Sequence, residues 1–412
     1  MNGYGKVFIS KDDYIYKNKL KNKLTYYICN EKDTPDVKIH LLIKIGSKSE
    51  KPQEIGVSHF LEHMCLAFNK AKFKEHRVCG YTSFEEINFC IYSKADNKSI
   101  HEAIDIVEGI FTGEIIDKDQ LEDVRSDIAS EWYKQMEGDY FRKRNRIYSK
   151  LLPHSLLERL PIGSLTNINK MDINTLYQFH NDYFVTELAA LICVGDFSNI
   201  DIECVIREKF KNVIRRTPGV RRVLSTDSES KYLIINNGYT QGEIAYEIYT
   251  LQKNRFISQI QYCKNYLIEE LVYLLLQRLI TENDIQCTKY RYYKNRITAE
   301  YEILSVELKL KDEMPIQVIQ NLIDRSLLSS SNFTVSNDLL LKITRQIDEK
   351  VQEFKSQRNN LAQECVNNYL FDEPILSWQD EVKIMKEILP KITVEDIRKK
   401  IMKCQGKNQI CF

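Results

Sequence analysis

His59-Phe60-Leu61-Glu62-His63-Met64 packs two imidazoles and a carboxylate among three apolar side chains within six residues. On a helix, His59 and His63 are four apart and stack on one face, so both can reach a single metal ion. Glu62 follows His59 by three and adjoins His63, where its carboxylate can face a water held by the same ion. Two neutral imidazoles leave the charge of Zn2+ barely compensated, and water bound there becomes strongly acidic. A carboxylate that takes this water's proton and hands it to a leaving amine completes a peptide hydrolysis cycle. The expected cofactor is therefore zinc, one ion per chain.

A catalytic zinc needs a third protein ligand and keeps one position open. Downstream, the stripe Leu121, Val124, Ile128, Trp132 and Met136 predicts a long helix over Asp117–Glu137. That helix offers Glu131, with Asp127 one turn earlier on the same face and able to orient a histidine. Glu122 and Glu137 on the same helix, and His76 in the intervening loop, are the alternatives, and spacing alone does not choose among them.

Around this core the periodicities predict an alternating chain. Lys23–Cys29 and Val37–Ile45 are β-rich, Ser58 is placed to cap the histidine helix, and Gly80–Ser83 pairs with Ile87–Tyr92. Ile100–Phe111, Asp172–Tyr183 and Asp201–Phe210 have helical spacing, and Glu187–Val194 reads as a buried strand. Arg216–Ser230 carries Pro218-Gly219, a basic patch and a Ser/Asp/Glu run, which suits a linker. Beyond it the order restarts, with strands near Tyr232–Asn236, Glu243–Tyr249, Ile285–Tyr293 and Ile297–Leu310. The helices there fall at Ile257–Leu279, Pro315–Leu328 and Ser336–Asn368, with a last one from Thr393. The expectation is an α+β protein of two structurally similar α/β-sandwich domains, each a mostly antiparallel sheet covered by helices. They span 1–215 and 231–412, joined by a linker at 216–230.

Of 412 residues, 43% are apolar and 28% charged, and the net charge of +1 gives no reason to invoke nucleic acid or an anionic membrane. No apolar run is long enough to span a bilayer, and Met1–Asp13 lacks the basic-apolar order of a leader. The 11 cysteines are scattered without a C-x-x-C pair, which suits reduced thiols and a cytoplasmic protein.

Ile45-Gly46-Ser47, followed by Glu54-Ile55-Gly56-Val57-Ser58 and the H-x-x-E-H run, resembles the opening of the pitrilysin (insulinase) family of zinc metallopeptidases. Further along, Tyr81-Thr82-Ser83 resembles its substrate-edge strand and Arg125–Glu131 the helix of its third zinc ligand. Pro161-Ile162-Gly163-Ser164 resembles its P-I-G turn. Asn181–Phe184 and Val194-Gly195-Asp196-Phe197 resemble the close of its first domain. The likeness covers residues 37–210, and the remainder follows by element order.

The resemblance implies that His59, His63 and Glu131 ligate zinc and that Glu62 is the general base. It also implies that Tyr81, Thr82, Ser83 and Tyr290 meet a peptide substrate. Three departures stand out. The Met64–Cys79 loop is short, Cys79-Gly80 replaces an Asn-Ala pair, and Val124 stands where the family has an orienting Glu, for which Asp127 or Asp123 would have to substitute. In relatives the second half contributes an Arg/Tyr pair to the substrate; here Tyr290 matches the Tyr, but Asn283 stands in place of the Arg. This pattern resembles the catalytic member of a heterodimer whose homologous partner subunit supplies the Arg/Tyr pair, a homodimer being the alternative. The implied activity is zinc-dependent endopeptidase action on short or unfolded peptides, leader or precursor segments among them. The competing reading is a non-catalytic scaffold or substrate-binding subunit.

Overall fold

The computed structural model describes residues 5–8, 14–72, 76–214, 216–220, 231–240, 243–253, 258–282, 287–315, 361–393, 395–397 and 408–411, with isolated positions between 318 and 345. The chain forms two compact units. The first comprises Met1–Arg142, Ser155–Ser225 and Arg358–Ser377; the second comprises Lys143–His154, Thr226–Gln357 and Trp378–Phe412.

The first unit is built on strands β1 (Gly5–Phe8), β2 (Tyr14–Lys19), β3 (Thr25–Asn30), β4 (Asp36–Ile43), β5 (Arg77–Thr82), β6 (Ile87–Lys94) and β7 (Ala189–Gly195). Their order in the sheet is β1-β2-β3-β7-β4-β6-β5. Only β3 and β7 run parallel; the other neighbours are antiparallel. Successive side chains of a strand point to opposite faces, and β3 shows this directly. Tyr26 and Ile28 enter one core, whereas Tyr27 and Cys29 enter another on the far side. β7 is buried on both faces, which is why Ala189–Val194 reads as one unbroken apolar run.

Among the described residues, the helices include α1 (Val57–Lys72), α2 (Asn97–Thr112), α3 (Leu121–Glu137), α4 (Asp139–Leu151), α5 (His154–Leu157), α6 (Leu165–Lys170), α7 (Ile173–Tyr183), α8 (Ile202–Phe210), α9 (Gln259–Glu282), α10 (Leu361–Phe371) and α11 (Trp378–Ile388). In the first unit, α1, α2, α7 and α8 cover the larger core. Aspartates start three of these helices, with Asp96, Asp172 and Asp201 accepting from the backbone N–H of Ser99, Thr175 and Cys204. α10 covers the other face, placing Leu361, Cys365, Val366 and Leu370 against Tyr27, Leu42 and Ile192. A single boundary at 216–230 therefore does not describe the division, because the apolar stripe of α10 is buried on the first sheet.

In the second unit, β8 (Lys231–Thr240), β9 (Glu243–Lys253), β10 (Cys287–Arg296), β11 (Tyr301–Leu310) and β12 (Asn408–Cys411) form a sheet of order β10-β11-β9-β8-β12. It too contains one parallel pair, β8 with β12. Cys263, Leu267, Leu271 and Leu274 form the buried stripe of α9. The expected Pro315–Leu328 helix, most of Ser336–Asn368 and position 283 lie outside the described residues.

His180 on α7 is buried, stacks on Phe184 with ring centroids 4.2 Å apart, and lies 3.1 Å by Nε2 from the carbonyl of Ile110. Burial outweighs that carbonyl and lowers its pKa to about 4, against 6.5 for an ordinary histidine. The unfolded chain then binds the extra proton between pH 6.5 and about 4, so stability is retained above this window and lost as the pH falls through it. His180→Gln keeps a donor for Ile110 but cannot titrate. Its unfolding free energy from urea denaturation is expected to fall less than that of the wild type between pH 7 and 4, by a difference on the order of 3 kcal/mol. Parallel pH dependences for the two proteins would refute this.

Candidate metal centre

α1 is amphipathic in the simplest way. Val57, Phe60, Leu61, Met64 and Cys65 are buried in the core, and their spacing turns His59, Glu62 and His63 to the opposite side. The helix opens without the expected Ser58 cap. Ser58 lies inside the first turn, and its hydroxyl is buried without a hydrogen-bond partner. Glu50 does the capping instead: its carboxylate accepts from Gly56 N–H at 2.7 Å and from Ser58 N–H at 2.9 Å. Complete burial pushes this carboxyl up to about 7, against the pull of those donors. The backbone carbonyl of Glu50 accepts from the buried Arg159, whose own carbonyl accepts from Ser47 at 2.7 Å. A closed polar network thus underlies the start of the helix.

The P-I-G turn meets this same point. Gly56 and Gly163 both have positive φ, at 102° and 78°. A Cβ on Gly163 would lie 2.6 Å from the Gly56 Cα. Gly163→Ala combines a left-handed backbone penalty with a clash against backbone, and is expected to destabilise the protein by about 2 kcal/mol or more. Chemical denaturation checks this, and an unchanged midpoint would contradict it.

Just past that turn, α6 anchors α3. Arg125 on α3 donates to the carbonyls of Ile168 and Met171, the latter at 2.7 Å, and its guanidinium lies 5.7 Å from the centre of the Phe60 ring. Val124 and Ile128 fix the buried face of α3. This brings Glu131 to the two histidines. Its Oε2 lies 3.6 Å from His59 Nε2 and 3.4 Å from His63 Nε2, and all three donor atoms fall within 4.8 Å of one another. The two carboxylate–imidazole separations exceed an ordinary charged hydrogen bond, and they match the edges of about 3.3–3.6 Å of a tetrahedron built from zinc bonds of about 2.0–2.2 Å.

The charges also suit a cation. His63 and His59 beside it hold Glu131 down to about 2, so the carboxylate is ionised. Burial, then the neighbouring His63, lowers His59 to about 4, so this imidazole is neutral at physiological pH. Both are the states that bind metal. Gln135, one turn after Glu131, donates to its Oε1 at 2.9 Å and leaves Oε2 facing the imidazoles. Sequence reading passed over Gln135; the i,i+4 spacing on a helix was the available signal.

Glu62 is 3% exposed, and burial raises its carboxyl to about 7. Its Oε2 accepts from Thr82 Oγ1 at 2.8 Å. Thr82 ends β5, which is an edge strand of its sheet.

Other expected site residues fall elsewhere. Asp127 is exposed on α3 and bonds neither histidine; His59 Nδ1 is buried without a hydrogen-bond partner. No hydrogen bond therefore joins Asp127 to the His59 ring in this structure. The Ser83 hydroxyl accepts from the N–H groups of Glu85 and Glu86, which makes it a turn residue. Tyr81 is half exposed, and its hydroxyl donates to Glu86 at 3.0 Å and accepts from Asn88 at 3.3 Å. Tyr290 lies on β10 opposite Leu308, and its side chain is outside the described residues. Of the alternative ligands, His76 contacts Glu102 at 3.1 Å and Glu122 pairs with Arg125 at 3.1 Å.

Fold and site together define an α+β chain with a His-His-Glu cluster on its first sheet unit. Residues 26–155 match the family model described as Insulinase (Peptidase family M16). Among curated proteins it is similar to the probable zinc protease PqqL of Escherichia coli, at 22% identity over 98% of this chain and 46% of that protein. It is also similar to the chloroplastic stromal processing peptidase of Arabidopsis thaliana, at 28% identity over 45% of this chain and 16% of that protein. The chain thus spans about half the length of the PqqL proteins it matches, or less in the processing peptidases. The crystal structure of the periplasmic protease PqqL from E. coli superposes with a TM-score of 0.80 at 18% identity, covering 99% of this chain and 48% of that one. A peptidase M16 inactive domain from Pseudomonas fluorescens superposes with a TM-score of 0.69 at 12% identity, over 96% and 97% of the two chains.

Proposed function

We propose that this chain is a zinc-dependent endopeptidase that cuts short or unfolded peptides. The observation carrying the reading is the convergence of His59, His63 and Glu131 within 4.8 Å, with the buried Glu62 carboxylate on the same face of α1. The donor set of two imidazoles and one carboxylate is that of catalytic zinc sites. When bound, zinc would acidify a water and polarise the scissile carbonyl. The residues do the rest. Glu62 accepts the water's proton, for which a carboxyl near neutrality is well matched, and then delivers it to the departing amine. β5, as an edge strand, offers backbone N–H and C=O groups to an extended peptide, and this favours unfolded substrates, leader segments among them.

The non-catalytic alternative takes support from the fold shared with an inactive M16 domain. The complete donor set and the buried base weigh against it here. The decisive test is cleavage of a mixed unfolded peptide library by the purified chain, with a chelator abolishing it and zinc restoring it. Zinc binding without turnover, alone or with a homologous partner, would leave the scaffold reading standing.

The same proposal includes a second, homologous half supplied by a partner subunit, since the PqqL relatives hold about twice this length in one chain. Full activity of the isolated, monomeric chain would reject it. A cytoplasmic setting is proposed on the free thiols among the described residues, Cys29 and Cys365 included, whose sulfurs share a hydrogen bond at 3.4 Å and no disulfide. Fractionation of the host checks that placement.

A further inference from the structure

Thr82 falls in the stretch that sequence reading gave to the substrate, yet its hydroxyl points inward. We propose that Thr82 is a positioning residue for the base, aiming the Glu62 carboxylate rather than gripping the peptide; this rests on the peptidase reading above.

Two contacts from one strand carry the inference. Thr82 Oγ1 donates to Glu62 Oε2 at 2.8 Å, and this uses the hydroxyl's single proton. Two residues back on the same face of β5, Gly80 leaves the space that Oε1 needs. A Cβ there would stand 3.0 Å from both Cγ and Oε1 of Glu62, and 3.3 Å from the carbonyl of Asn88. The carboxylate is therefore tied at one oxygen and fitted closely at the other by the same edge strand. A glutamate has three side-chain torsions, and without the hydroxyl its terminal one is broad and poorly fixed.

The test uses the zinc-loaded full chain, with any partner subunit it needs for turnover, and three variants. Thr82→Val keeps the branched shape suited to a strand and removes the donor. Its kcat is expected to fall about 10- to 100-fold, the range for supporting partners, with KM and zinc stoichiometry unchanged. Thr82→Ser restores the hydroxyl and should recover kcat to within a few fold. Gly80→Ala, which crowds the other oxygen, should lower kcat while zinc stays bound. A wild-type kcat in Thr82→Val, a Ser variant as impaired as Val, or loss of zinc from Thr82→Val would each overturn the proposal. If the wild-type protein binds zinc and cleaves nothing, the peptidase reading fails by itself. Crystal structures of the wild type and Thr82→Val then decide this inference: a Glu62 carboxylate that turns away in the variant supports it, and an unmoved one refutes it.

Discussion

Glu62→Gln is expected to cut peptide turnover by about 10²- to 10⁴-fold while zinc binding is retained, the span usual for loss of a general base. The amide keeps the shape of the carboxylate and can still accept from Thr82, so packing at this buried position changes little. What it loses is the capacity to take a proton. Zinc content, measured on the same preparation, separates chemistry from folding. If Glu62→Gln retained wild-type kcat, Glu62 would not be the base; if it lost zinc as well, it would belong among the ligands.

The neighbouring prediction runs the other way. Glu131→Gln should release zinc to a mild chelator far more readily than the wild type, by more than the 10- to 100-fold typical of a supporting residue. The substitution removes the one anionic donor of the three and leaves two neutral imidazoles. α3 should stay folded, because Val124, Ile128 and the Arg125 anchors are untouched. Equilibrium dialysis against a zinc buffer checks this with no reference to activity. Unchanged affinity would mean that the carboxylate 3.4 Å from His63 is a passive neighbour.

Much of the site was legible because helical periodicity is a strict constraint. Once Phe60, Leu61 and Met64 are assigned to the core, His59, Glu62 and His63 must share the opposite side. The distant Glu131 was not legible from spacing, since its approach depends on Arg125 holding α3 to the carbonyls of Ile168 and Met171 at the end of α6. Family resemblance pointed to it, and packing explains it. The cap at Glu50 escaped notice because a loop carboxylate six and eight residues ahead of its partners follows no local rule. β1 and β2 were missed because strands such as Tyr14–Lys19, half of them Lys and Asn, lack apolar alternation. Arg358–Ser377 returned to the first unit because the burial of α10 is a matter of tertiary packing, which sequence order does not encode.

Anomalous diffraction at the zinc edge, from crystals of the zinc-loaded protein, bears most directly on the central claim. The account predicts one strong peak bonded to His59 Nε2, His63 Nε2 and Glu131 Oε2 at about 2.0–2.2 Å. A peak elsewhere, for instance beside Cys90 and His40, whose Sγ and Nε2 lie 3.4 Å apart, with nothing between the α1 histidines and Glu131, would contradict it.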